Sequence, residues 1–385
     1  MAGYFASVKK GFKIKNYISY IMVGIFFVIS LIMMATGNLN RSSQNLITQM
    51  SYSIILAVSL NLVVGFLGEL SLGHAGFMCI GAYLGCFIAN QLHTVISSNL
   101  AVLIISMLIG GVIAAVFGLI IGLPALRLKG DYLAIVTLAF GEIVRTIFKN
   151  LKLFGGALGL TTTKYGSDLF IVALVVVLIT LFIIQNLVRS KHGRAITAIR
   201  DNEIAAKAMG INVTYYKLFV FVVSAFFAGI AGVIYGHYAT PVLYSFFSYN
   251  YSIEILVMVV LGGMGSINGS IIAAALITFI NFQLTTKLSG DLAALKFLIY
   301  ALILISLVIL NNAPALAPLK ERLSIKKGMK KLGNKIADAI KEKDDPSKIK
   351  DDDVAWDRIP SKIDMNALLS TDATPQNNTQ KKEED

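Results

Sequence analysis

Residues 100–124 read LAVLIISMLIGGVIAAVFGLIIGLP and carry no charged side chain. In an α-helix, about 20 consecutive apolar residues are enough to cross the hydrocarbon core of a bilayer. The flanking sequence is almost as poor in charge: no lysine or arginine stands between Arg41 and Arg127, and the only carboxylate there is Glu69. The apolar run is continuous rather than alternating, which favours a helix over a membrane strand. The stretch therefore predicts a transmembrane helix.

The whole chain has the same character. Of its 385 residues, 56% are hydrophobic and 15% are charged, whereas a soluble protein has about 25% charged residues. Between Lys217 and Lys287 the only charged residue is Glu254. Such segments are solvated by lipid or by one another, so the predicted fold class is an all-α polytopic membrane protein. The net charge of +12 comes without an aromatic-basic platform, and no nucleic-acid partner is expected.

About ten transmembrane helices are predicted from the apolar segments. Together they form a membrane domain over residues 17–312, between an N-terminal segment, 1–16, and a tail, 313–385. The segments lie near residues 17–35, 47–66, 71–90, 100–124, 131–148, 169–188, 217–236, 251–263, 270–286 and 294–311.

The distribution of lysine and arginine orients these segments. The N-terminal segment carries four lysines, and the connections after spans four and six and the start of the tail are also basic. Since basic connections stay in the cytoplasm, both termini are predicted to be cytoplasmic. The connection 149–168 disagrees, because it holds three lysines and the span count places it outside.

Two connections are unusually rich in glycine: GELSLGHAGF (68–77) and GGMGSINGS (262–270). Such stretches are typical of glycine-interrupted helices beside a substrate path, and equally of tight helix packing through small residues. Both interpretations stay open. On the first, the candidates for the translocation path, including two carboxylates, are Glu69, Ser71, His74, Gly76, Glu142, Gly262, Gly263, Gly265, Ser266 and Asn268.

Charged residues inside apolar segments are functional candidates by default. Glu142 and Arg145 are three apart, so they share a helix face and also fit a purely structural pair. Glu69 and His74 fit either a site or a satisfied polar turn near the interface. No metal site and no catalytic group is predicted, because the four histidines fall at different depths and no nucleophile stands with a base.

A hydrophilic stretch, GRAITAIRDNEIAAKAMG (193–210), lies between two apolar segments. Asp201 is predicted to cap a helix that runs from Asn202 to Met209 and stops at Gly210. Such a rod, about 12 Å long, is too short to be stable alone. Its partner is either the rest of this chain or a second protein. The candidate contact residues are Arg194, Arg200, Asp201, Glu203, Ala205, Ala206, Lys207 and Gly210.

Four stretches carry a resemblance to a known family. They read GELSLGHAGFMCIGAYLG (68–85), RLKGDYLAIVTLAFGEIVR (127–145), GRAITAIRDNEIAAKAMGINVTYYK (193–217) and VLGGMGSINGSIIAA (260–274). In order and spacing they resemble LivM, the permease family of branched-chain amino acid ABC importers, over roughly residues 45–311.

The resemblance implies a bacterial plasma (inner) membrane location and a permease domain whose residues 189–216 form a cytoplasmic coupling loop for an ATPase. It also implies four kinds of partner: a sister LivH-type permease, two cytoplasmic ATP-binding subunits, an extracytoplasmic substrate-binding protein and membrane lipid. The tail departs from the family pattern. Its first part is predicted to be an amphipathic helix on anionic lipid, and its acidic end to be disordered.

Three functions are compatible with these features. No phosphate-binding glycine loop of the P-loop type occurs in the chain, so no enzyme activity and no cofactor are expected, and ATP would be bound by a partner subunit. The leading hypothesis is translocation of leucine, isoleucine and valine by an ABC importer. The alternatives are an ABC permease for urea or short amides, and an ion-coupled secondary carrier that uses Glu69, Glu142 or Glu254.

Overall fold

The computed structural model describes residues 18–35, 40–128, 130–163, 165, 168–287, 301, 302 and 305. Within them the only β pairing is an isolated antiparallel bridge between Leu160 and Val242, so the all-helical prediction is confirmed. In chain order the helices are α1 (Ile18–Ala35), α2 (Arg41–Leu67), α3 (His74–Leu92), α4 (Asn99–Ala125), α5 (Asp131–Asn150), α6 (Asp168–Arg189), α7 (Lys191–Asp201), α8 (Glu203–Ala208), α9 (Val213–Tyr238), α10 (Tyr249–Gly262) and α11 (Ile267–Lys287).

Six of these helices are long and apolar enough to cross a membrane: α2, α3, α4, α6, α9 and α11. Shorter apolar helices run over Val23–Ile32, within α1, and over α10. Helix α5 has 20 residues but carries four charged side chains. The predicted count of ten is therefore not confirmed. Of the tenth predicted segment, 294–311, only three residues are described, and the segments 1–16 and 313–385 lie outside the described residues.

Helices α2 and α9 form the centre of the bundle. In the most apolar part of α2 89% of the residues are buried, and in α9 72%, against 39% in α4 and 33% in α11. Helix α9 packs along α4, α2 and α3, and α2 also packs against α6 and α11. The outer helices keep apolar faces exposed, as expected where lipid or another membrane protein takes the place of water.

The two glycine-rich stretches are turns between helices. The last six residues of α2, Leu62–Leu67, wind as a π-helix, and Gly68 then turns the chain with φ +82°. Because that φ is unfavourable for a residue with a Cβ, the helix ends there, and α3 begins at His74. In the second stretch Gly263 and Gly265 have positive φ between α10 and α11. The prediction of helices interrupted by glycine is not confirmed.

Candidate functional site

The polar segment, residues 189–216, contains two short helices. The hydroxyl of Ser190 caps α7. Asn202 caps α8, because its Oδ1 accepts a hydrogen bond from the backbone N–H of Ala205 at 3.0 Å. Asp201 is the last residue of α7 and pairs with Arg200 at 3.0 Å. The predicted cap at Asp201 is wrong: both residue types cap helices well, but the chain becomes extended one residue later, at Asn202 (φ −158°).

Helix α8 turns one face inward and leaves the other exposed. Ala206 is buried within the chain, so its expected contact with a second protein does not fit this geometry. Ile204 and Met209 have exposed fractions of 80% and 82%. The outer face therefore presents two large apolar side chains, beside exposed Ala205.

A charge cluster joins α8 to α9 and to the turn after α2. It consists of Glu69, Glu203, Lys207 and Lys217. Lys217, near the start of α9, donates a hydrogen bond to Oε1 of Glu69 and lies 3.3 Å from Oε2 of Glu203. Its side chain is only 5% exposed, and that of Glu69 is 13% exposed. On the surface, Lys207 reaches Oε1 of Glu203 at 2.8 Å, the i,i+4 spacing visible in the sequence.

The buried part of this cluster is a strong constraint. Removing one member of a buried ion pair leaves an uncompensated charge and destabilises a protein by about 3–5 kcal/mol. Lys217 therefore holds the turn after α2, through Glu69, and the start of α8, through Glu203, to the same point on α9. Sequence reasoning used Lys217 only to bound an apolar stretch. The available signal was a lone cation at the start of that stretch, which requires a partner.

A second contact, the glycine junction, joins the polar segment to both glycine turns. It consists of Asn61, Gly65, Arg200 and Gly265. Nη1 of Arg200 donates a hydrogen bond to the carbonyl oxygen of Gly65 at 3.0 Å. A Cβ on Gly65 would lie 2.2 Å from the backbone nitrogen of Gly265. Only a glycine allows this approach.

Asn61 closes the junction from α2. Its Oδ1 accepts a hydrogen bond from the N–H of Gly265 at 2.9 Å, and its Nδ2 donates to the hydroxyl of Ser270 at 2.9 Å. A displacement of Arg200 would therefore shift both the end of α2 and the turn before α11.

The first glycine turn, residues 68–73, is held by side chains from three helices. The N–H of Leu72 donates to Oγ1 of Thr137 at 3.0 Å. At the start of α3 the N–H of Ala75 donates to Oγ of Ser252 at 3.1 Å. His74 is buried and lies 2.9 Å from the hydroxyl of Ser59. The turn is thus tied to α2, α5 and α10.

Two of the remaining path candidates, Gly76 and Gly262, allow close packing of helices. Gly76 faces Gly141, where a Cβ on Gly76 would meet the Cα at 2.8 Å. Gly262 lies against Gly269, which brings α10 and α11 together. Ser266 accepts a hydrogen bond from the N–H of Gly269 at 3.2 Å. Ser71 is buried, and Asn268 lies in the first turn of α11.

Glu142 lies apart from these turns. Its Oε2 is 2.7 Å from Nη2 of Arg145, and its Oε1 accepts a hydrogen bond from the N–H of Tyr249 at 2.9 Å. Tyr249 begins α10 and Gly262 ends it, so the two ends are about 20 Å apart at 1.5 Å per residue. Glu142 forms the predicted structural pair and caps α10 at the end away from the glycine junction.

That distant end carries the tyrosine cavity, of which the sequence analysis had singled out only Glu254. Its volume is about 360 Å³, and its wall comes from α2, α9, α10, α11 and Phe246. We define it by Tyr52, Tyr235, Tyr238, Tyr251 and Glu254, which line it together with further polar residues. No sequence motif marks it, because its residues come from helices far apart in the chain.

A smaller cavity of about 270 Å³ follows along α2 toward Arg41. Tyr238 lines both cavities, and its hydroxyl accepts a hydrogen bond from Nε2 of Gln49. Tyr165 lines the smaller cavity from a loop, where burial raises the pKa of its phenol to about 12. The two cavities are thus neighbours that share one aromatic side chain.

Most of the described helices and turns lie within the residues that one protein-family model matches. A family model described as branched-chain amino acid transport system, permease component, matches residues 42–307. The chain belongs to this family. The resemblance carried by the four sequence motifs is confirmed, and the family assignment agrees with the six helices that are long and apolar enough to span a membrane.

Within this permease family, the chain is similar to the high-affinity branched-chain amino acid transport system permease proteins LivM of Salmonella typhimurium, at 34% identity, and Escherichia coli, at 33%. Each similarity runs over 257 residues, or 58% of this chain and 59% of the relative. A probable LivM permease of Methanocaldococcus jannaschii is 29% identical over 199 residues, covering 48% of this chain and 57% of the relative. The chain thus spans less than two thirds of the length of these relatives. No solved structure matches it.

Proposed function

We propose that this chain is a permease subunit of an ABC importer that translocates leucine, isoleucine and valine across the plasma membrane, driven by a separate ATPase subunit. Membership of the permease family supports the transport role. The relatives named as high-affinity branched-chain amino acid permeases support the substrate class.

One observation carries the coupling part of the proposal. Helix α8 exposes Ile204 and Met209 on its outer face, while Glu203 at its start is fixed to the buried Lys217. Exposed apolar side chains beside charged ones are typical of protein–protein contacts. A helix with a free outer face and a fixed inner face can pass a partner's movement to the spans.

Arg200 gives the same segment a second attachment. Because it bonds the carbonyl of Gly65, and Gly65 lies against Gly265, movement of α7 reaches both glycine turns. The turns then act as the flexible connections of the transport cycle. The residues assigned to the turns and the adjoining helix ends are Glu69, Ser71, His74 and Gly76 around the first turn, and Gly262, Gly263, Gly265, Ser266 and Asn268 around the second.

The proposed assembly contains a sister LivH-type permease, two ATP-binding subunits on the cytoplasmic side, and a substrate-binding protein on the other side. In this arrangement both termini are cytoplasmic, and the outer faces of α4 and α11 meet lipid or the sister permease. The ATP-binding subunits dock on the polar segment, with Arg194, Ala205, Lys207 and Gly210 beside Ile204 and Met209.

The test replaces the apolar outer face of α8. The double variant Ile204→Asp with Met209→Asp is expected to lose the ATPase subunits on purification and to lose leucine uptake, because two carboxylates cannot be desolvated in an apolar contact. Val95→Asp is the matched control, since Val95 is also 80% exposed but lies in the loop after α3. It should retain the ATPase.

Three results would contradict the proposal. Retention of the ATPase and of leucine uptake in the double variant would show that α8 is not the docking surface. Uptake that persists without any ATPase and follows the membrane potential would favour the ion-coupled carrier. Uptake of urea or short amides in preference to leucine would change the substrate class and leave the ATPase contact in place.

A further inference from the structure

A further cavity lies where the polar segment meets the end of α4. Its volume is about 390 Å³, which falls in the range of about 300–1,000 Å³ that is typical of small-molecule sites. Its wall comes from the end of α4, from α8 and from the first residues of α9. We call it the basic cavity and define it by the three cations that line it together with Glu203: Arg127, Lys207 and Lys217.

Arg127 is the cation of this cavity that is left for a ligand. Lys217 bonds to Glu69 and lies near Glu203, and Lys207 pairs with Glu203. The guanidinium of Arg127 pairs with no side chain of the described residues. When Glu69 behind Lys217 is included, three cations face two carboxylates within the described structure, so one positive charge remains. A guanidinium presents a planar fork of donors that fits phosphate oxygens.

The backbone holds Arg127 just beyond an apolar helix. Helix α4 ends at Ala125. The N–H of Arg127 then donates to the carbonyl oxygen of Pro124 at 3.3 Å, and the N–H of Leu128 donates to that of Ala125 at 3.0 Å. With 27 residues, α4 is about 40 Å long at 1.5 Å per residue, whereas the hydrocarbon core of a bilayer is about 30 Å thick. Its end, and Arg127 with it, therefore reaches the depth of the lipid headgroups.

An apolar ridge leads away from the cavity along α4. Leu123 lines the cavity and is exposed, and Ile120 and Val116 continue the exposed surface along the helix. Side chains three or four apart are neighbours on a helix, so the ridge is continuous. A ligand that has both a phosphate group and an acyl chain would cover the cation and the ridge together. A soluble phosphate compound or an acidic protein segment would cover only the cation.

We infer that the basic cavity binds the phosphate group of an anionic phospholipid. Arg127 binds two phosphate oxygens, Lys207 adds positive charge at the rim, and an acyl chain lies along the exposed ridge of α4. Basic pockets between transmembrane helices are typical sites for anionic headgroups. The inference goes beyond the proposed function, because it depends neither on the amino-acid substrate nor on the ATPase.

The test compares two lipids with identical acyl chains. Phosphatidylglycerol has a net negative charge, whereas the choline group of phosphatidylcholine brings a positive charge next to the cations of the cavity. The full chain, purified with its partner subunits, is mixed with each lipid, and native mass spectrometry counts the lipid molecules that stay bound. Phosphatidylglycerol should stay bound at several-fold lower concentration. Equal binding of the two lipids would overturn the inference.

Variants of Arg127 test the charge. Arg127→Ala should weaken phosphatidylglycerol binding about 10-fold, which corresponds to one lost charge-assisted hydrogen bond. Arg127→Lys keeps the charge without the planar fork and should lie between the two. Lys191→Ala is the control, because Lys191 is exposed on α7 and does not line the cavity. Unchanged binding in Arg127→Ala, or an equal loss in Lys191→Ala, would overturn the inference.

A second variant tests the cavity itself and keeps every charge. Thr214 lines the cavity near the start of α9 and is exposed, so Thr214→Trp fills the space with an indole ring. It should weaken phosphatidylglycerol binding as Arg127→Ala does. Thr146→Trp is the control, at an exposed threonine of α5 outside the cavity wall, and should bind the lipid unchanged. If Arg127→Ala does not assemble, Thr214→Trp decides, and unchanged binding in it would overturn the inference.

Two further measurements distinguish the lipid from other occupants. Inorganic phosphate in large excess should not displace phosphatidylglycerol, because it has no acyl chain for the ridge. Displacement would assign the cavity to a soluble phosphate compound and overturn the inference. Arg127→Ala should also keep the ATPase. Loss of the ATPase together with unchanged lipid binding would assign the cavity to an acidic surface of that subunit instead.

Discussion

The two ends of α10 differ in how their polar groups are used. At the end near the glycine junction, both the amide oxygen and the amide nitrogen of Asn61 form hydrogen bonds within the chain. The buried Lys217 likewise bridges two carboxylates. At the tyrosine cavity, Thr278 keeps a buried hydroxyl without a partner among the described residues. Groups that are fully bonded internally transmit movement, whereas an unpartnered group does not hold two helices together.

The comparison also separates the kinds of helix contact. At the junction, glycine brings two backbones together, and a change of one atom disturbs the contact. At the cavity, rings and long side chains keep the helices apart and leave space between them. Substitutions should therefore affect stability most at the junction.

Replacement of Lys217 should have the largest effect. Lys217→Met leaves Glu69 buried without its cation, and we expect a loss of about 3–5 kcal/mol in the free energy of unfolding. Lys207→Met removes a lysine from Glu203 in the same charge cluster, but the side chain of Lys207 is 58% exposed, and surface pairs contribute about 0–1 kcal/mol. Thermal unfolding of the purified complex measures both.

Equal losses in these two lysine variants would show that the charge cluster is not a buried anchor. A second substitution provides a further check. Adding Glu69→Gln to Lys217→Met removes the orphaned charge and should recover part of the lost stability.

Gly65→Ala should have the next largest effect. Its Cβ would meet the backbone of Gly265 at 2.2 Å, and overpacking of this kind is destabilising by about 1–3 kcal/mol. Gly24→Ala is the control, because no atom lies within 4 Å of a Cβ at that position in α1. Gly65→Ala should lower the melting temperature, whereas Gly24→Ala should not lower it or should lower it clearly less. Equal, small changes in the melting temperatures of both variants would show that Gly65 and Gly265 are not in close contact.

The membrane helices could be predicted where apolar length decided the outcome. The apolar segments 100–124 and 217–236 became α4 and α9 with ends shifted by one to four residues. The spacing of Glu203 and Lys207, four apart, gave a contact that forms within one helix. The cap of α8 was misassigned, because Asp201 and Asn202 are adjacent residues of nearly equal capping ability, and only the backbone angles distinguish them.

The long-range contacts could not be predicted from one sequence. Lys217 and Glu69 are separated by 148 positions, and Asn61 and Gly265 by 204. Neither pair has a periodic signal, since each depends on how two helices pack. The tyrosine cavity is harder still, because its wall is assembled from α2, α9, α10 and α11.

The most direct test of the account is the number of ATP molecules hydrolysed per leucine transported when Arg200 is changed. Arg200→Ala removes the hydrogen bond to the carbonyl of Gly65, while Lys191→Ala removes an exposed cation from the same helix. We predict that the Arg200→Ala complex keeps its ATPase and continues to hydrolyse ATP, but uses several-fold more ATP per leucine, whereas Lys191→Ala behaves as the unchanged protein. An unchanged ratio in Arg200→Ala would contradict the account.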